Sequence, residues 1–209
     1  MMALVANGIG RSFRQVEVLR GVDLAVAPGE FVTIGGPSGS GKSALLSILC
    51  GFDRPDVGSV LIRDVVMDGA PSWQRCAVLP QALGLAGELT LAENTALPLL
   101  LTGSPDARAR SVAVLTELGI GELADRYPNE VSYGQQQRAA LARAIVGQPD
   151  VLLADEPTAH VDHASAEVVL TVLRRVADRG TAVIAATHDP RVHAVADRQL
   201  RLDKGRLVP

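Results

Sequence analysis

Val131-Ser132-Tyr133-Gly134-Gln135-Gln136-Gln137-Arg138, near the middle of the 209-residue chain, reads as the opening of an alanine-rich helix. Ser132 is followed three residues on by Gln135, the spacing of a capping box, so a helix starts here. The first N–H groups of a helix have no internal partner, and the helix dipole places positive charge at the same end. Together they form a site for anions. Ser132, Gly134 and Gln135 are therefore read as a phosphate-binding site, the second of two in this chain, and that implies two copies working together.

The first lies upstream. Gly36-Pro37-Ser38-Gly39-Ser40-Gly41-Lys42-Ser43, continued by Ala44, fills the pattern Gly-x4-Gly-Lys-Ser between an expected strand and an expected helix. Its glycines let backbone N–H groups curl round a β-phosphate, in a nest that excludes bulky side chains. Lys42 is placed to neutralise β- and γ-phosphate oxygens, and the Ser43 hydroxyl to ligate Mg²⁺. Downstream, Val151-Leu152-Leu153-Ala154-Asp155-Glu156 is an apolar strand ending in two acids. Ligands bind at the carboxyl ends of strands in open α/β sheets. Asp155 is expected to hold Mg²⁺ through water, since that ion dehydrates reluctantly. Glu156, one residue on, points elsewhere and is expected to orient or deprotonate an attacking water.

Around these motifs the chain changes character twice. Val16–Val26 and Glu30–Ile34 read as strands about the turn Ala27-Pro28-Gly29, followed by a helix over Lys42–Leu49 and short strands over Ser59–Ile62, Val65–Met67 and up to Leu79. The middle is helical. Thr90-x-x-Glu93 caps a helix over Ala92–Leu101, which Pro98 is expected to kink or end. Ser104-Pro105-Asp106 offers an N-cap and a proline at the first helical position of a helix running to Leu118 and stopped by Gly119. A further helix spans Gly134–Val146. Strand and helix then alternate: strand Val151–Ala154, a helix with apolar spacing from Ala166 to Ala177 closed by Gly180, strand Thr181–Ala186 and a terminal hairpin about Lys204-Gly205. This is an α/β core with a helical insertion, one domain of two lobes: residues 1–83 with 150–209, and residues 84–149.

Composition bounds the function. Apolar residues make up 47% and charged residues 21%, ordinary for a globular chain, and the net charge of −3 offers no bulk attraction to nucleic acid or an anionic bilayer. Lys42 is one of only two lysines. Cys50 and Cys76 show neither metal spacing nor a disulfide framework. No signal sequence is expected at the start, and no run approaches the roughly 18 apolar residues of a membrane span. His160-x-x-His163 lacks a third ligand and reads as solvated surface; Arg174, Arg175 and Arg179 read as a solvated helix face.

The phosphate loop, the Ser-x-Gly-Gln run, the Asp-Glu strand and His188 in Ala-Thr-His-Asp stand in the order found in ABC-type ATPases, and the chain resembles that family over nearly its whole length. The resemblance implies a P-loop ATPase core with a mixed β-sheet, a small antiparallel β-subdomain and an inserted helical lobe. It also implies ATP and Mg²⁺ as ligands. Phe13 resembles the aromatic residue stacked on adenine. Gln81 resembles the glutamine that touches Mg²⁺ and begins the link to the helical lobe. Asp162 resembles the aspartate loop at the dimer seam, and His188 the switch histidine on the γ-phosphate. With Glu156 and Lys42, His188 completes the implied catalytic set. Val18-Leu19-Arg20-Gly21-Val22, Leu89-Thr90-Leu91-Ala92-Glu93-Asn94 and Ala96-Leu97-Pro98-Leu99 resemble the macrolide-export and lipoprotein-release subgroup. Its implied partners are a second ATPase copy and an integral-membrane permease, at the cytoplasmic face of the membrane, with no nucleic acid. An ATPase of the same family tethering cell-division-like membrane machinery without transport would carry the same nucleotide site. Three departures stand out: Tyr133 in place of the first glycine of the signature pair, Pro80 before Gln81, and a Gln81 only 39 positions after Lys42.

Overall fold

β7 (Val151–Asp155) and β8 (Ala182–Ala186) lie side by side inside a six-stranded sheet in the computed structural model, which describes residues 1–208. With β3 (Phe31–Gly35), β6 (Cys76–Leu79), β9 (Arg198–Asp203) and β10 (Arg206–Val208) the order is β10-β9-β3-β8-β7-β6. Only β10 runs antiparallel to its neighbour, which makes the sheet mixed. The continuous apolar runs of β7 and β8 follow from cover on both faces. Val151 and Leu153 face α1 (Lys42–Leu49), while Leu152 and Ala154 face α4 (Tyr133–Ile145) and α5 (His163–Asp178). Strand alternation then aims Asp155 to the α1 side.

A second, four-stranded antiparallel sheet is built from β1 (Leu4–Phe13), β2 (Val16–Val26), β4 (Val57–Ile62) and β5 (Val65–Val66), in the order β2-β1-β4-β5. Its buried residues join α1 and one face of the larger sheet in a single apolar cluster. Between β6 and β7 the chain forms α2 (Leu91–Leu100), α3 (Ala107–Glu117), two single 3₁₀ turns and α4. These helices share one continuous core with the opposite sheet face, from Leu91 and Leu115 to Phe31 and Leu152. A short α6 (Pro190–Ala194) follows β8.

The structure differs from the sequence reading in four places. β1 forms although Gly8 (φ 58°) and Gly10 interrupt its apolar pattern, and its register with β2 shifts around them. Pro98 neither ends nor caps α2, which continues two residues past it. The N-cap of α3 is Asp106 instead of Ser104. Ser104 N–H is already committed to the Leu99 carbonyl in the turn that closes α2, and its hydroxyl donates to Asp106 Oδ1 at 2.7 Å. The short α6, held by the Asp189 cap, carries too few residues for periodicity to reveal it.

Candidate functional site

Gly36 to Gly41 form the loop between β3 and α1, Lys42 and Ser43 open the helix, and its start carries no side-chain cap. Its opening N–H groups therefore face the loop, as an anion site requires. Two glycines are fixed by packing. A Cβ at Gly36 (φ 143°) would lie 2.4 Å from the Leu202 carbonyl oxygen, and one at Gly41 would meet Val18 at 3.0 Å. Gly39 (φ 76°) faces open space. Lys42 Nζ donates to the Gly36 and Pro37 carbonyls at 2.8 and 3.1 Å, which arches its ammonium over the loop. Ser40 Oγ is buried without a hydrogen-bond partner. A glycine nest with one lysine and an orphaned hydroxyl fits a polyphosphate.

Ser43 Oγ donates to Asp155 Oδ2 at 3.0 Å, joining the first turn of α1 to the end of β7. Burial raises the Asp155 carboxyl above its usual range, the Ser43 hydroxyl opposes this, the Glu156 charge adds to it and Lys42 lessens it. Hydroxyl and carboxylate oxygens at the mouth of a phosphate loop, with Gln81 on the same cleft wall, are the hard donors Mg²⁺ takes alongside phosphate and water.

Glu156 leaves the strand with a left-handed backbone, φ 48°, so its side chain does not continue the β7 alternation. Its Oε2 accepts from Thr187 Oγ1 at 3.0 Å and from His188 N at 3.4 Å, and its Oε1 lies 2.8 Å from His188 Nδ1. The carboxylate is only 14% exposed, whereas the His188 side chain is 79% exposed. Thr187, fully buried, also accepts from Asp189 N. Asp189 in turn caps α6, and the Arg191 guanidinium holds its carboxyl far below the usual carboxylate range against the penalty of burial, helped by the Thr158 hydroxyl. Thr187 and Asp189 thus set the position of the carboxylate and the histidine. Both stand beside His188 in the quoted Ala-Thr-His-Asp run, which was the signal available in the sequence.

A cleft of about 820 Å³ gathers Gly36, Ser38, Gly39, Gly41, Lys42, Ser43, Ala44, Gln81, Asp155, Glu156 and His188 on its walls, with His160 beside them. Phe13 is not among them. It ends β1 at 43% exposure with the Arg11 guanidinium 4.8 Å over its ring, and Arg11 is held there by Asp53 and Asp56. Val18 lines the cleft in that region.

Ser132, Gly134, Gln135 and Asp162 also stand apart from this cleft in their own chain. Ser132 is the N-cap of α4; it accepts from Gln135 N at 3.3 Å while Gln135 Oε1 accepts from Ser132 N at 2.8 Å, and Ser132 is exposed. Gly134 is buried against α5, where an added Cβ would lie 2.9 Å from Ser165 Oγ. Asp162 caps α5, accepting from Ser165 N and Oγ at 2.9 and 2.8 Å. These bonds hold its carboxyl below the ordinary range.

Two buried side chains to which the sequence assigns no individual role tie the helices to the segment after Gln81. Arg143 donates to the Leu83 and Gly84 carbonyls at 2.6 and 2.7 Å. Asn94, with no exposure, bonds Ala86 through both its N–H and C=O and reaches the Leu89 and Thr90 carbonyls.

The sequence profile of the family described as ABC transporter matches residues 19–159. The chain is 38% identical to the lipoprotein-releasing system ATP-binding protein LolD of Pseudomonas syringae pv. tomato, over 98% of this chain and 96% of that protein. It is 41% identical to the macrolide export ATP-binding/permease protein MacB of Syntrophobacter fumaroxidans, over 93% of this chain and 29% of that longer protein. Its structure matches a solved dimer of the ATP-binding cassette MJ0796, in a post-hydrolysis state bound to ADP and Pi, with a TM-score of 0.91 at 29% identity over 99% of this chain and 97% of that one. A phosphate loop joined through Ser43 to an Asp-Glu strand, inside this mixed sheet and with this breadth of similarity, means that the chain belongs to the ABC transporter family as one of its ATPase cassettes.

Proposed function

We propose that two copies of this chain close face to face around two ATP molecules and that the closure drives a membrane permease. The observation that carries the reading is the separation of two anion sites within one chain. Ser132, Gly134 and Gln135 do not line the cleft of their own chain, and in this reading a ligand that meets both sites is shared between copies. In this reading the phosphates lie in the Gly36–Ser43 loop of one copy and against Ser132, Gly134 and Gln135 of the other, with Asp162 along the seam. The γ-phosphate favours the closed pair because it is bound from both sides, and its loss removes that differential affinity.

Lys42 exchanges its bonds to the loop carbonyls for phosphate oxygens. Ser43, Asp155 and Gln81 would hold Mg²⁺, which when bound neutralises charge developing between the β- and γ-phosphates. Glu156, steadied by Thr187, accepts the proton of the attacking water, and His188 senses the γ-phosphate from its exposed position. Phe13 would stack on an adenine, its ring carrying the Arg11 guanidinium on one side. The core lobe comprises residues 1–83 with 150–209 and the helical lobe residues 84–149, with Gln81 opening the link between them. No helix among the described residues is long and apolar enough to cross a membrane, so force would pass to a spanning partner chain at the cytoplasmic face. Leu100 and Leu101, 57% and 74% exposed at the end of α2, are apolar chains that such a contact would cover.

Size-exclusion chromatography with nucleotide tests the reading. The Glu156→Gln variant should run as a dimer with Mg-ATP and as a monomer with Mg-ADP, whereas Lys42→Ala should bind nucleotide poorly and stay monomeric. Rapid turnover by Glu156→Gln, or a monomer in ATP, would reject it. Affinity isolation from membranes would then identify the spanning partner.

A further inference from the structure

Tyr133 occupies the first position of α4, directly after the Ser132 cap, and is 40% exposed. In an α-helix the Cα–Cβ bond leans toward the N-terminus, so a side chain here reaches out past the helix start. Its hydroxyl lies 3.5 Å from the Gln81 carbonyl oxygen, and its ring meets that of His160 edge-on, with centroids 6.2 Å apart and planes at 86°. Gln81 and His160 come from different loops, and both border the nucleotide cleft of the same chain. His160 also holds a left-handed backbone, φ 60°, in the loop that runs from Glu156 to the Asp162 cap. One side chain thus joins the opening turn of α4 to two walls of the cleft.

We propose that Tyr133 is a positioning residue, one that transmits nucleotide occupancy of its own cleft to the phosphate-binding helix start its chain presents to a second copy. The intrachain contact stands on the geometry alone; the consequence for a second copy rests on the two-copy reading above. Coupling between sites needs a physical chain of contacts with more than one arrangement. Here that chain is short: cleft, Gln81 and His160, phenol, Ser132. An edge-on aromatic pair shifts such an equilibrium by about two- to tenfold, and glycine at position 133 would supply none of it. The body of α4 is anchored separately, since Gln137 Nε2 donates to the Pro157 carbonyl at 2.7 Å. Loss of the phenol should therefore free the opening turn and leave the helix in place.

Hydrogen exchange of the amides of residues 132–137, with and without Mg-ADP, tests this in the wild-type chain, Tyr133→Phe and Tyr133→Ala. ADP is used because closure of two copies requires the γ-phosphate, so the response is intrachain. ADP should slow exchange in the opening turn by at least about threefold in the wild type, within the range an aromatic pair supplies. Tyr133→Phe, which keeps the ring on His160, should retain most of the response. Tyr133→Ala should lose it at saturating ADP and still bind ADP, weakened by no more than the same factor, since coupling between two sites is reciprocal. An unchanged response in Tyr133→Ala, or none in the wild type, overturns the proposal. Failure of Glu156→Gln to dimerise in ATP would instead remove the two-copy reading and leave the exchange result standing.

Discussion

Glu156 Oε2 accepts a 3.0 Å hydrogen bond from the fully buried Thr187 hydroxyl, while its other oxygen lies 2.8 Å from the exposed His188 Nδ1. The two contacts differ in what can disturb them. Thr187 is fixed in the core; His188 is free to turn toward solvent or phosphate. Thr187→Val keeps the shape and deletes the donor, so the carboxylate should drift from the water-activating position. Steady-state kinetics should show kcat for ATP lowered by about tenfold, a fraction of the full worth of a positioned base, with KM changed little. Equal loss in KM and kcat would place Thr187 in binding instead.

Asp155 makes the next case, through the sign of its pKa shift. Burial raises its carboxyl above the ordinary 3.8. The folded state therefore binds a proton more tightly than the unfolded chain, and the ionised side chain costs stability once the pH exceeds its folded value. Asp155→Asn keeps an acceptor for Ser43 and removes the charge. Without ligands, the variant should melt higher than the wild type at neutral pH, by about 2–4 °C for each kcal/mol recovered in a chain of this size. The advantage should vanish as the pH falls below the ordinary carboxyl value. Mg²⁺-dependent hydrolysis should be lost at every pH, the expected trade of stability against a functional charge.

The phosphate loop separates glycines needed by the fold from glycines needed by the ligand. Alanine at Gly36 would push a methyl to 2.4 Å from the Leu202 backbone oxygen, which cannot move without breaking β9, so Gly36→Ala should fail to give a stable fold. Gly39 meets nothing within 4 Å. Gly39→Ala carries only the left-handed backbone cost of about 1–2 kcal/mol, and the folded protein should survive. Its methyl stands where phosphate must approach the backbone, and calorimetry should show ATP affinity down by at least about tenfold, or about 1.4 kcal/mol. Unaltered affinity in a folded Gly39→Ala would contradict the assignment of the loop.

These contrasts show which parts of the molecule were legible in the sequence. The phosphate loop, the Ser132–Gln135 capping box and the Asp155-Glu156 strand end are local patterns, since backbone geometry over a few residues dictates them, and the structure forms each one. Elements governed by distant partners were not legible. β1 is a strand because β2 and β4 pair with it across glycine bulges. Asn94 is written as a polar residue in an apolar helix, and only the folded loop of residues 86–90 explains its burial. Phe13 carries the lesson furthest. Its position resembles an adenine platform, and in the structure Arg11, itself paired with Asp53 and Asp56, lies over its ring, a grouping that no spacing rule connects.

Gly134 offers a test in which propensity and packing predict opposite signs. Inside a helix, glycine to alanine stabilises by about 1 kcal/mol. Here the new Cβ would sit 2.9 Å from Ser165 Oγ and 3.4 Å from Ser165 Cβ, so the serine hydroxyl must turn away from Asp162 Oδ2 and weaken the cap of α5. Loss of a capping interaction costs about 1 kcal/mol, and steric displacement adds to it. Urea unfolding should therefore show Gly134→Ala destabilised in the wild-type background. In a Ser165→Ala background the obstructing oxygen is gone, and the same substitution should become neutral or stabilising. This reversal is a coupling energy that only contacting residues display. If the two changes prove additive and Gly134→Ala remains stable but inactive, the need for glycine lies in the approach of phosphate to α4 and not in its packing on α5.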